Sequence, residues 1–246
     1  MAKASVDPRE AERRRSLIGS IIAAVVVLAV AAGFIVWGTH KNSGPEGGSA
    51  TPTVVTADGA LRVSKAPAGS QPAVVVSVAE DFQCPVCRQF ETTFGSTVDS
   101  LADDPRVAID YFPLAYLDKY SRDEYSTRSA NASMCVAEAT AGDGLAVWRR
   151  YHDALFQRQP NEGGPGIADD NLADLSGVVG GPGIADCVKG RDYEQWLDGL
   201  TSRVTGRPGF DGTPDVRING QKYDWAANPD PSAFRAAVEA ALAAPH

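Results

Sequence analysis

The sequence predicts an α/β domain carried behind one membrane-spanning helix. Three observations lead there. An uncharged run, Leu17 to Trp37, follows a basic tail. Beyond it, β-branched runs and helical periodicities come in the order strand, helix, strand, long helical block, two strands, helix. Where the first core strand meets its helix stands Asp81-Phe82-Gln83-Cys84-Pro85-Val86-Cys87-Arg88, with two residues between the cysteines.

Residues 1–16 hold Lys3, Arg9, Arg13, Arg14 and Arg15 against Asp7, Glu10 and Glu12. The tail is therefore +2 in a chain of net charge −8, which leaves −10 for the rest. So acidic a body excludes the phosphate-neutralising surface that nucleic-acid binding requires. About 20 apolar residues rising 1.5 Å each span a hydrocarbon core of roughly 30 Å, so residues 17–37 are long enough to cross. Arg13-Arg14-Arg15 keeps the tail cytoplasmic, and Trp37 suits the far interface. A cleaved signal peptide at Ala29-Val30-Ala31 or a twin-arginine signal at Arg14-Arg15 competes with the anchor, but either one also exports the domain. Residues 38–52, with Gly44-Pro45-Glu46-Gly47-Gly48-Ser49, read as a flexible spacer, and residues 53–246 as the extracytoplasmic domain.

Within that domain Val54-Val55-Thr56 and Ala60-Leu61-Arg62-Val63 flank Asp58-Gly59, which is a hairpin signal. Val74–Val78 is an apolar, β-branched strand. The helix behind Cys84 carries Phe90 and Phe94 on one face. Residues 107–112 form a second core strand. A helical block follows from about Ser126 to Arg203, broken at 161–166 and 180–183. Ile184, Val188, Trp196, Leu197, Leu200 and Val204 keep helical spacing in its last part. Thr213-Pro214-Asp215-Val216-Arg217-Ile218 reads as a strand opened by proline, Asn219-Gly220 as a hairpin turn, and residues 232–243 as a closing helix.

The chemistry concentrates at Cys84 and Cys87. A cysteine at a helix start faces unpaired N–H groups and the positive end of the helix dipole, which favour its thiolate. Pro85 is tolerated there because its missing N–H would be unpaired anyway. Cys87, one turn inward, would resolve a mixed disulfide with Cys84. A purely structural Cys84–Cys87 disulfide is the plainer alternative. Zinc on this pair is disfavoured, since tetrahedral zinc needs two more ligands and the chain has only His40, His152 and His246. No metal and no cofactor are expected.

Cys84-Pro85-Val86-Cys87 after the first core strand, with Thr213-Pro214 opening the late strand, resembles the thioredoxin fold. The long helical insert, about residues 120–206, looks like that of the DsbA-like disulfide oxidoreductases. More narrowly, the chain looks like the membrane-tethered members of actinobacteria. The resemblance covers about residues 54–244. It implies a Cys84 nucleophile and a cis Thr213-Pro214 bond facing it. Thr213 would tune the sulfur, and its backbone would pair with an extended peptide alongside Pro85 and Val86. An ordinary turn at Asp211–Pro214 is the alternative.

The resemblance also implies that Glu80 or Asp81 could relay protons to the second cysteine, but a solvated loop carboxylate is the favoured reading for each. Cys135 and Cys187 match a second cysteine pair of actinobacterial relatives. A structural disulfide is favoured there over a second redox pair or two free thiols. Many relatives have His where this chain has Val86, which puts the redox potential in doubt rather than the chemistry. Asn131-Ala132-Ser133 fits a glycosylation sequon by chance, inside a helix.

The expected activity is disulfide formation in reduced exported polypeptides. A membrane reoxidase, of the vitamin K epoxide reductase-like kind in actinobacterial relatives, would renew the couple. A reductase or isomerase of the same fold, or a non-enzymatic tethered binding module, are the alternatives. No dimerisation segment is evident outside the membrane helix, so a monomer is expected.

Overall fold

A computed structural model describes residues 48–67 and 69–244. The expected cytoplasmic tail, membrane helix and most of the spacer lie outside the described residues. Among the described residues no helix is long and apolar enough to cross a membrane.

Five strands form one mixed sheet: β1 Leu61–Ser64, β2 Val74–Glu80, β3 Val107–Pro113, β4 Asp215–Ile218 and β5 Gln221–Lys222. Their spatial order is β1-β3-β2-β4-β5. β2 runs parallel to β3, joined by the crossover helix α1, Pro85–Ala102, and all other pairs are antiparallel. β3 is buried along its whole length, as its sequence, apolar but for Asp110, requires of a strand covered on both faces. Its one acid, Asp110, is met across the strand pair by both nitrogens of an Arg62 fork at 2.7 Å, which pins the β1 register.

The Asp58-Gly59 turn forms, with Thr56 N–H donating to the Ala60 carbonyl at 2.8 Å. Its first arm contributes only the bridge Val55↔Leu61 on the outer edge of β1. Asn219 and Gly220 have φ of 47° and 78°, the paired positive values that a tight two-residue hairpin needs. The late strand begins at Asp215, just after Thr213-Pro214. The closing helix α7, Pro231–Ala243, starts at its N1 proline behind the Asp230 cap. Phe90 and Phe94 of α1 stack at 5.1 Å and meet Phe234 of α7 and Trp225.

Between β3 and β4 lie α2 Tyr125–Ala139, α3 Ala146–Gln157, α4 Asp169–Val178, α5 Ala185–Gly190 and α6 Glu194–Thr205. Breaks at residues 140–145 and at Arg191 divide the helical block further than its sequence suggested. Helix α2 is the block's centre, buried from Tyr125 to Ala137. Its serines and alanines let neighbours approach closely, and its buried polar groups are mostly paired, the Tyr125 hydroxyl being an exception. Ser133 Oγ accepts from Trp148 Nε1 at 2.7 Å, and Asn131 Oδ1 accepts from the Tyr193 amide at 3.0 Å. A buried, bonded Asn131 agrees with the chance sequon.

The last spacer residues are docked on the domain. Gly48 N–H donates to the Arg191 carbonyl and Ala50 N–H to that of Asp192, both at 2.9 Å. A Cβ on Gly48 would lie 2.4 Å from the Asp192 Cα, so only glycine permits this approach. Residues 48 and 50, read from the sequence as spacer, thus pack on the domain.

Candidate active site

The β2 run ends at Glu80, and a three-residue loop delivers Cys84 to the N-cap of α1, with Pro85 in the first turn. The loop is held from below. One Asp81 oxygen accepts from Gln83 N and Ser126 Oγ, each at 2.8 Å. The other accepts from Tyr116 N at 2.9 Å and Leu117 N at 2.8 Å. Gln159, which sequence reasoning missed, donates to the carbonyls of Phe82 at 3.0 Å and Cys84 at 2.9 Å. It follows α3 with no local motif to announce it.

Cys84 is 5% exposed and Cys87 fully buried, and both are free thiols. Pro85 and Val86 between them face solvent, Val86 at 45% exposure. The Thr213-Pro214 bond is cis, and the Thr213 carbonyl accepts a hydrogen bond from Cys84 Sγ at 3.3 Å. So Cys84, Cys87, Thr213 and Pro214 come together, although 129 positions separate Cys84 from Thr213.

The two thiols are driven apart. The Cys84 pKa is lowered to about 6, first by a hydrogen bond from the Cys87 thiol. Burial opposes the shift, while the Thr213 side chain and the amides of Cys87 and Val86 assist it. The Thr213 carbonyl stabilises only the thiol form, so it works against ionisation. Cys87 is pushed well above the usual thiol range, first by burial, then by Cys84 itself and by the charge of Glu80. One sulfur is thus a nucleophile near neutral pH and the other holds its proton.

Glu80 and Asp81 are not solvated loop carboxylates, at 1% and 0% exposure. Asp81 is spent on four donors, and burial raises its pKa to about 7. Glu80 contacts His152 Nε2 of α3 at 2.5 Å. Neither was legible as buried, because the partners lie in α2, α3 and the loop after β3. Cys135 and Cys187 form a disulfide joining α2 to α5, inside the helical block.

A thiol of lowered pKa at a helix start, opposite a cis-proline loop on a mixed sheet, defines a dithiol site of the thioredoxin class. The chain belongs to that family, whose thioredoxin model matches residues 66–240. Among solved structures it is similar to the disulfide bond oxidoreductase DsbG from Mycobacterium tuberculosis. Identity there is 36%, covering 75% of this chain and 88% of that one, with a TM-score of 0.65. DsbA from the same organism also has 36% identity, covering 75% of this chain and 93% of that one, with a TM-score of 0.64. The MdbA thiol-disulfide oxidoreductase from Actinomyces oris shares the fold at 20% identity, over 77% of this chain and 91% of its own, with a TM-score of 0.61. Among curated proteins, the serine/threonine-protein kinase PknE of Mycobacterium tuberculosis is 32% identical over 157 residues. That stretch is 58% of this chain but only 27% of the kinase.

Proposed function

We propose that the protein is an extracytoplasmic thiol:disulfide oxidoreductase that forms disulfides in exported polypeptides through the Cys84–Cys87 couple. The observation that carries this reading is the split between the two thiols, with Cys84 lowered to about 6 and Cys87 raised. A stable Cys84 thiolate is a good leaving group and favours the reduced enzyme, so the disulfide form oxidises its substrate.

In the oxidised enzyme a substrate thiolate attacks Cys84 Sγ, and Cys87 departs and takes a proton. A second substrate thiolate attacks the substrate-side sulfur of the mixed disulfide and expels the Cys84 thiolate. Two substrate thiols become a disulfide, and the enzyme disulfide becomes two thiols. Exposed Pro85 and Val86, with Thr213, form the surface that meets the substrate. The basic tail and the uncharged run 17–37 support a single-pass tether with this domain outside. Such a tether would hold a monomer beside a membrane reoxidase, for which a vitamin K epoxide reductase-like protein is the candidate.

The test is to mix the oxidised protein with a reduced, unfolded cysteine protein and count thiols by alkylation mass. One substrate pair is lost per Cys84–Cys87 disulfide reduced, and Cys84→Ser abolishes the transfer. Unchanged transfer by Cys84→Ser would overturn the role of Cys84, and absence of transfer by the wild type would leave the binding-module reading.

A further inference from the structure

Away from the sulfurs, three side chains from separate elements converge: Glu80 ending β2, Glu91 on α1 and His152 on α3. One donor atom of each lies within 4.8 Å of the others. Glu80 is 1% exposed and His152 0%. Glu80 Oε2 and Glu91 Oε1 are both buried without any hydrogen-bond partner. A bare buried acceptor costs about 1–3 kcal/mol, and more if charged, so two beside one imidazole call for a ligand.

We propose that Glu80, Glu91 and His152 form a binding site for one divalent transition-metal ion of the zinc class. Imidazole with carboxylates is a donor set that zinc-class ions accept. Two ligand carboxylates balance the charge of the ion. His152 Nδ1 lies 3.1 Å from Asp153 Oδ1, an outer carboxylate that can orient a ligating histidine, and the ion would replace the proton shared by Nε2 and Glu80 Oε1 at 2.5 Å. Arg149, the nearby cation, is paired with Asp99 at 2.8 Å and Asp153 at 3.3 Å, and its Nη1 also lies 3.0 Å from His152 Nδ1. A cavity of 490 Å³, lined by Arg88, Glu91, Arg149, Asp153 and Phe156 among others, reaches the cluster at Glu91, while Glu80 and His152 lie behind it. Tetrahedral donors about 2.1 Å from zinc stand about 3.4 Å apart, so the 2.5 Å His152–Glu80 contact opens slightly and the flexible Glu91 side chain swings in. Sequence spacing could not reveal this site, since each ligand comes from a different element.

The inference is independent of the proposed oxidase activity. Its test titrates the full-length protein in detergent micelles with Co²⁺, then displaces it with Zn²⁺. Cys84–Cys87 is first oxidised, so no thiolate competes. The expected result is one Co²⁺ per chain, with ligand-field bands and no sulfur charge-transfer band. Proton release accompanies binding. Glu91→Gln, nearly isosteric, weakens binding by at least about 10-fold, and His152→Gln does the same. Thermal melting verifies that each variant is folded. No saturable binding by the wild type, or equal affinity in Glu91→Gln, overturns the proposal; the latter would place the ion elsewhere, for instance at His40 or His246.

Discussion

Replacing Thr213 by valine keeps the side-chain shape and removes one hydroxyl. That side chain helps hold the Cys84 pKa at about 6, against an ordinary 9.0. A hydrogen bond to a charged group is worth about 1.5 kcal/mol at the low end, which is about one pKa unit. Thr213→Val should therefore titrate near 7, with thiolate at pH 6 falling from about a half to about a tenth. Intrinsic nucleophilicity rises with pKa, by about threefold per unit. The variant should then alkylate about twofold more slowly than wild type at about pH 6 and about 2.5-fold faster at about pH 8. Ultraviolet thiolate absorbance gives the midpoint, and iodoacetamide rates give the crossover. An unshifted midpoint with no crossover would refute the hydroxyl's role, and a wild-type midpoint near 9 would refute the thiolate argument altogether.

Other outcomes follow from the same geometry. A depressed folded-state pKa adds stability that is fully present above the unfolded value of 9.0 and is lost as pH falls through about 6. The melting-temperature gap between reduced wild type and Cys84→Ser should therefore widen from about pH 5 to about pH 8; a pH-independent gap contradicts this. The Cys135–Cys187 disulfide spans a separation of 52 residues. The double Ser variant should lose about 4 kcal/mol in urea unfolding while the Cys84 titration stays in place. Gln159→Ala strands the buried Phe82 carbonyl and leaves that of Cys84 with the Arg88 amide alone, so denaturant unfolding should register a loss of about 2 kcal/mol. A change below a few tenths would remove Gln159 from the support of the active-site loop.

What the sequence reveals here is what is local. The run Val74–Val78, the two-residue spacing of Cys84 and Cys87, and Thr213-Pro214 each carry their signal within a few neighbours. The Gly142 and Gly144 break between α2 and α3 was available and passed over. The break at Arg191 was not, since a non-glycine residue takes φ of 49° there. The burial of Glu80 and Asp81 was illegible for a deeper reason. A carboxylate at a strand end is solvated or buried according to what packs over it. Here the cover comes from His152, Ser126 and the Tyr116 and Leu117 amides, all far along the chain. The same distance hid Gln159. The docked Gly48 was masked by a Gly/Ser-rich composition that usually means a free linker.

The most direct test of the central claim is the equilibrium of Cys84–Cys87 with glutathione. Couples with nucleophile pKa about 7 and about 3.5 stand near −270 and −120 mV, so a value about 6 interpolates to roughly −230 mV. That lies about 70 mV above structural disulfides near −300 mV, an advantage of about 200-fold for donating the bond. A potential at or below about −270 mV would contradict the stabilised thiolate and turn the protein into a reductase.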